Sequence, residues 1–215
     1  DSTATTGTGR NTAIGSSSLA AITTGSQNVA VGTSSLAGLT TGTDNVVLGH
    51  NAGTTITTGT DNVAIGKEAL KTDDVGNYSV AVGRTALYSQ DIASSSSTNN
   101  TAVGTSAGYH NVTGTSNTLI GMDCGAGQSG NSHSSNTGVG SEALKVITTG
   151  GSNVALGTGA GVALNSGSYN VFVGRDTGTA MTTGYGAVFV GWLAGQTADT
   201  AGDNAVDCTY IGKQA

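Results

Sequence analysis

Aliphatic residues return along this chain inside a five-residue pattern, x-[VT]-x-[VIL]-G, seen as NVAVG at 28–32, NVAIG at 62–66 and NVALG at 153–157. The closing glycines fall at 15, 32, 49, 66, 83, 104, 121, 140, 157, 174, 191 and 212. The interval is therefore 17 residues, with exceptions of 21, 19 and 21. A fixed period this short is too brief for a helical-hairpin repeat and suits one coil of a β-solenoid. The pattern predicts an all-β chain: a parallel β-solenoid or β-roll of about twelve 17-residue coils running from residue 11 to 215 as one repeat domain. Residues 1–10 match no copy and read as a polar cap or tail.

Counting each copy from the residue before [VT], position 1 is mostly Asn, and stacked Asn side chains can hydrogen-bond along a solenoid as an amide ladder. Positions 2 and 4 share one face of a strand, and their β-branched residues suit it. That face is expected to line the interior. Position 3 then points outward, yet it carries Ala30, Val47, Leu119, Phe172, Phe189 and Tyr210 and no charge in any copy. A strand apolar on both faces is covered on both. The expected cover for position 3 is another copy of the chain.

Positions 8, 9 and 12 carry a second apolar set, such as Leu36 and Leu39, whose spacing fits either a single helical turn or a bent second strand. The Thr-Thr-Gly that follows (40–42, 148–150) is turn chemistry. The long intervals hold insertions at 89–99, 127–135 and 197–207, expected to bulge as loops.

Composition narrows the function. Seven Lys+Arg against 13 Asp+Glu, with no basic cluster, leave nothing to grip a nucleic-acid backbone. No apolar run reaches the length of a membrane span, so no membrane insertion is expected. A chain beginning at Asp1 reads as a piece of a longer protein. Cys124 and Cys208 lie five copies apart, roughly 24 Å at one strand spacing per copy, beyond disulfide reach. His50, His110 and His133 show no zinc-ligand spacing and read as surface or loop residues. Asp44 and Asp61 share a position in consecutive copies, and a solvated turn is the reading preferred over a cation site. Glu68, Asp73 and Asp74 supply acids without an aromatic cleft or a nucleophile–His–acid set. Neither an enzyme nor a cofactor is expected.

The run N-[VT]-A-[VI]-G-x-x-A-[LG]-x-x-x-T-T-G resembles repeats of phage tail fibres that stand upstream of a self-cleaving C-terminal chaperone. More loosely, it is similar to the NSVAIG coils in heads of YadA-type trimeric autotransporter adhesins, whose period is shorter. The likeness covers residues 11–212. It implies a homotrimer of parallel β-solenoids used for surface attachment, with position 3 as the trimer interface. The expected function is a structural and receptor-binding module of a virion tail fibre, taking a host surface glycan or protein as partner. A bacterial adhesin head on the cell surface, a glycan-cleaving tailspike and an ice-binding solenoid are the alternatives. Discrimination needs departures from the repeat, which singles out Trp192 and Tyr185 as aromatic contacts for a sugar ring. Ser94, Asn99, Asn131 and His133, in the two insertion loops, are the expected polar partners.

Overall fold

The computed structural model describes residues 9–94, 96–197 and 207–215. Asp1–Ser106 forms one compact unit and Ala107–Ala215 a second. The first carries β1 (Thr12–Ile14), β2 (Val29–Val31), β3 (Val46–Leu48), β4 (Val63–Ile65), β5 (Val80–Val82) and β6 (Thr101–Val103). The second carries β7 (Thr118–Ile120), β8 (Thr137–Val139), β9 (Val154–Leu156), β10 (Val171–Val173), β11 (Val188–Val190) and β12 (Thr209–Ile211). In each unit consecutive strands pair in parallel and in register, Val29 beside Val46 and Val154 beside Val171. Both units are thus stretches of β-solenoid, as the period predicts. The long intervals leave the register intact: Val80 pairs with Thr101 and Thr118 with Thr137. The insertions at 89–99 and 127–135 are absorbed outside the strands, while the one at 197–207 lies almost wholly outside the described residues, as do residues 1–8.

Each strand is only three residues long because the marker glycine ends it. Gly32 sits at φ 131°, and a Cβ there would lie 2.6 Å from the Gly49 carbonyl oxygen of the next coil. Only glycine combines that dihedral with that approach. Beyond it, positions 7 and 9 are left-handed: Ser34 at φ 55° and Leu36 at φ 48°, with the same values recurring copy after copy. A helical turn needs an unbroken run of negative φ. This excludes the helical option, and no described residue is helical. The backbone bonds to neighbouring coils instead, with the Ser34 amide donating back to Ser16 O at 2.8 Å and the Leu36 amide forward to Ala52 O at 3.1 Å.

The strand faces are the reverse of the sequence expectation. Position 3 points into the coil: Ala30, Val47, Leu119, Phe172 and Phe189 are each fully buried within their own chain. They are core residues and cannot be an interface between copies. Tyr210, on β12, is 38% exposed and stacks on Phe189 with ring centroids 5.0 Å apart. Positions 2 and 4 face outward, with Ile14 55%, Val46 41% and Leu48 46% exposed. The cause is space. A 17-residue coil encloses a narrow interior, shared by position 3 of the strand with positions 9 and 12 from the opposite wall. At most levels one large side chain fills the gap between positions 3 and 9; Ala102 with Gly108 and Ala155 with Gly161 have none of their own, and Phe172 of the next coil lies against Gly161 instead. Where position 9 is Leu (Leu36, Leu70, Leu144), position 3 is Ala30, Ala64 or Gly138. Where position 3 is Val47, Leu119, Phe172 or Phe189, position 9 is Gly53, Gly125, Gly178 or Gly195. A Cβ on Gly178 would meet the Phe172 ring at 2.4 Å, and one on Gly125 would meet the Leu119 methyl at 2.6 Å. Two β-branched residues per strand do not fit such an interior, so positions 2 and 4 are turned out.

Candidate functional site

The amide ladder expected at position 1 is present, and it does more than join side chains. In the second unit Asn153 Oδ1 accepts from the Asn170 amide at 3.0 Å and from Asn170 Nδ2 at 3.1 Å, while Asn153 Nδ2 donates to Gly167 O at 2.9 Å. One side chain thereby satisfies a strand amide and a turn carbonyl that burial would otherwise leave unpaired. In the first unit the ladder runs Asn11, Asn28, Asn45 and Asn62, then meets Ser79, whose hydroxyl is too short to continue it.

A buried polar cluster takes over at that break. Position 12, aliphatic in Leu39 and Ile56, becomes Asp73 and Gln90 in the next two copies. Gln90 Nε2 donates to Asp73 Oδ2 at 2.6 Å and to Ser79 Oγ at 2.8 Å. Asn100 Nδ2 donates to Gln90 Oε1 at 2.9 Å, and the Gly76 amide donates to Asp73 Oδ1 at 3.0 Å. Asp73 is therefore a sealed interior acid rather than a surface one. Burial pushes its carboxyl up to about 6, against the pull of the Gln90 and Gly76 hydrogen bonds.

His133 plays the matching part in the second unit. The expectation of an exposed, receptor-contacting histidine is overturned: His133 has no solvent exposure. Its Nε2 lies 3.1 Å from Gly125 O, and its Nδ1 lies 3.3 Å from Asn117 Oδ1 and 3.4 Å from Asn136 Nδ2. The Gly125 carbonyl can only accept, which places a proton on Nε2. Burial holds its pKa down to about 4, with the Gly125 carbonyl acting in the other direction. Asn131 is also buried, 9% exposed, and its amide donates to Ile147 O at 3.3 Å. Both residues of the 127–135 insertion are structural. His50 is exposed and His110 half-buried. Cys124 is a buried free thiol pushed up to about 12 by desolvation, and Cys208 is free and half-buried.

Of the other expected receptor contacts, Ser94 and Asn99 are exposed on the 89–99 insertion. Trp192 and Tyr185 are both exposed, at 42% and 50%, but they flank β11 at opposite ends and do not form one platform. Tyr185 pairs with Tyr169 of the preceding coil, ring centroids 5.0 Å apart. The Trp192 ring is occupied by cations from both neighbouring coils, Arg175 at 5.4 Å and Lys213 at 4.6 Å from its centroid. The threonine turns are also committed to the fold. Thr23, Thr40 and Thr57 hydroxyls donate to carbonyls of the next coil at 2.9, 3.0 and 3.1 Å.

What remains as a site is the outer strand face. In each unit two files of side chains, Val or Thr at position 2 and Val, Ile or Leu at position 4, run across six strands without a charge. At roughly 50 Å² exposed per side chain, six levels amount to roughly 600 Å², the upper end of patches on monomeric proteins and close to the ~800 Å² one partner buries in a stable complex. The cover expected for position 3 is the chain's own core, and the apolar face that remains turned outward is that of positions 2 and 4. Among the described residues no group of three or more His, Cys, Asp or Glu is placed to hold a metal ion, and no helix is long and apolar enough to cross a membrane. No protein-family model matches the chain, and neither does a curated protein or a solved structure.

Proposed function

We propose that this chain is a non-enzymatic structural and receptor-binding module of a fibre, built from three copies that cover one another's outer strand faces. The observation that carries the reading is the uncharged, mostly aliphatic file of Val29, Val46 and Leu48 and their exposed or half-buried equivalents, on a face whose interior counterpart is already filled. Water contact over such an area is unfavourable at about 25 cal/mol per Å², and a second copy presents the same chemistry at the same spacing. Assignment to a phage tail fibre, displayed outside the host and binding its surface glycans or proteins, rests on the likeness of the repeat. Within each unit the fold fits a stiff stretch of such a fibre, because neighbouring coils are tied by backbone and core contacts and, along much of the stack, by the amide ladder.

Receptor contact then falls on features that break the repeat and stay exposed: the 89–99 insertion with Ser94 and Asn99, the Tyr169–Tyr185 pair, and Trp192 with its two cations. Sedimentation or light scattering of the full chain at micromolar concentration should give three times 20.8 kDa. A single-chain mass under those conditions defeats the proposal. Leu48→Glu, on the outer face, should dissociate the assembly while leaving the far-UV spectrum of the monomer β-rich.

A further inference from the structure

The two ends of most strands carry matched chemistry. The residue at position 17 leads into a strand and the residue at position 6 follows the marker glycine behind it. In the first unit β3 runs between Asp44 and His50, β4 between Asp61 and Lys67, and β5 between Tyr78 and Arg84. In the second unit β10 runs between Tyr169 and Arg175, and β12 between Asp207 and Lys213. Ser135 and Ser141 bracket β8 and Ser152 and Thr158 bracket β9 without charge, while β1 departs from the match, with Arg10 leading in and the uncharged Ser16 trailing. The leading end is thus acidic or phenolic wherever the trailing end is cationic, and no strand bears like charges at both ends.

Nothing inside one chain uses this match. Five residues separate Asp61 from Lys67, three of them strand, so the two ends lie up to roughly 20 Å apart. Asp44, Asp61, Lys67 and Arg84 are all exposed, and none joins an ion pair among the described residues. Arg175 is partly engaged by Asp176 at 3.1 Å, so the first unit shows the unspent pairs most clearly. These ends border the apolar face on its two sides. A second copy rotated about an axis parallel to the stack lays its trailing ends beside the first copy's leading ends, at the same level. A two-fold axis lying across the stack sets leading ends against leading ends, and Asp against Asp. Only the first arrangement turns the match into contacts.

We infer that copies of this chain associate side by side in zero-stagger register about an axis parallel to the strand stack, with the trailing end of each strand pairing with the leading end of the same strand in the next copy. The partner is a second copy of this chain, and the inference rests on the self-association proposed above. Lys67 of one copy meets Asp61 of the next, His50 meets Asp44, and the Arg84 guanidinium meets the Tyr78 ring. The apolar files supply the affinity. The strand ends fix the direction of the axis and forbid slippage by one coil, which the repeat itself would tolerate.

Two measurements on the full chain test it. In a Cys208→Ser background, S135C/S141C places one thiol at each end of β8. Mild oxidation should lock chains into covalent multimers on a denaturing gel, because the two ends are too far apart to close within one chain. S116C/T158C, displaced by two levels, should give little such product. By sedimentation, Asp61→Lys should raise the concentration at half-association at least about tenfold by setting lysine against Lys67, and D61K/K67D should restore it to within a few fold. Equal cross-linking of the aligned and displaced pairs, or an assembly indifferent to the charge changes, overturns the register while leaving self-association standing. A wild-type chain that stays single at every concentration overturns self-association itself, and the register with it.

Discussion

If one large side chain fills the interior between positions 3 and 9 at a given level, then Val47 and Gly53 form a unit that can be exchanged for Ala and Leu without loss. Their coil lies next to one with Ala30, Leu36 and Leu39 in the corresponding places. Val47→Ala alone removes two buried methyl groups and leaves a void, at a cost of about 1.5–3 kcal/mol. Gly53→Leu alone introduces a side chain at φ 53°, worth about 1–2 kcal/mol of backbone strain. It also drives that side chain among Ile56 Cδ1, Leu36 Cδ2 and Val47 Cγ1, at 3.0, 3.1 and 3.6 Å from the new Cβ, for about 1–3 kcal/mol more. The two singles sum to about 4–8 kcal/mol if independent.

The double variant recreates the neighbouring level. Leu36 already tolerates φ 48° there, and burial of the new leucine, about 1.5–3 kcal/mol, offsets the strain. It should lie within about 2 kcal/mol of the wild type, a favourable coupling of at least about 2–3 kcal/mol. Guanidinium denaturation of the four proteins, followed by circular dichroism with the slope checked for constancy, measures the cycle. Additivity to within about 0.5 kcal/mol refutes the one-filler account of the core.

Further expectations follow from the buried polar groups and the aromatics. Asn153→Ala strips the partners from the Asn170 amide and Gly167 O and should cost about 2–4 kcal/mol by denaturation; a cost under about 0.5 kcal/mol would mean that water replaces the ladder. Asp73, held at about 6 against an ordinary 3.8, makes the folded first unit bind more protons than the unfolded chain between those pH values, so its stability should fall by up to about 3 kcal/mol as pH rises from 3.8 to 6. His133, held at about 4 against 6.5, has the opposite sign, and the second unit should gain up to about 3 kcal/mol as pH rises from 4 to 6.5. Hydrogen exchange read separately for residues 9–94 and 107–197 across that range checks both; Asp73→Asn should flatten only the first trend and His133→Gln only the second. Trp192→Ala should leave stability within about 1 kcal/mol, because the ring is exposed and its cation contacts are at the surface; a measured loss beyond about 2 kcal/mol would place Trp192 in the structure rather than on a binding surface.

The period, the parallel stacking, the in-register insertions and the amide ladder were legible in the residues because each is a property of repetition alone. The direction in which the strand faces was not, and the reason is instructive. Val and Ile at positions 2 and 4 are larger than the Ala at position 3, and bulk with β-branching normally marks an interior. The clue that reverses this is a relation between positions, not a property of one: Val47, Leu119, Phe172 and Phe189 each occur with glycine six residues on, while Ala30, Ala64 and Gly138 occur with leucine there. Two positions that trade size share a space, and position 9 is on the far wall of the coil, so position 3 must point at it. His133 and Asn131 were misplaced for a related reason. A polar residue in an insertion reads as exposed, but the 127–135 insertion folds back along the wall that lacks an aliphatic position 12 at that level, and His133 goes inside.

Inverting the strand face moves the surface on which the proposed second copy would sit. With position 3 sealed inside, the chain still turns outward Val46, Leu48 and their equivalents, some exposed and some half-buried. Charges are placed in this chain with some care: Lys67 and Arg84 stand at one border of the file, Asp44 and Asp61 at the other, and none stands within it. A face of Val, Ile and Leu interspersed with Thr, free of charge through the strands of each unit and bordered by charges of opposite sign in several coils, resembles an interface with a polar rim. Self-association through this face is therefore the reading proposed above for it.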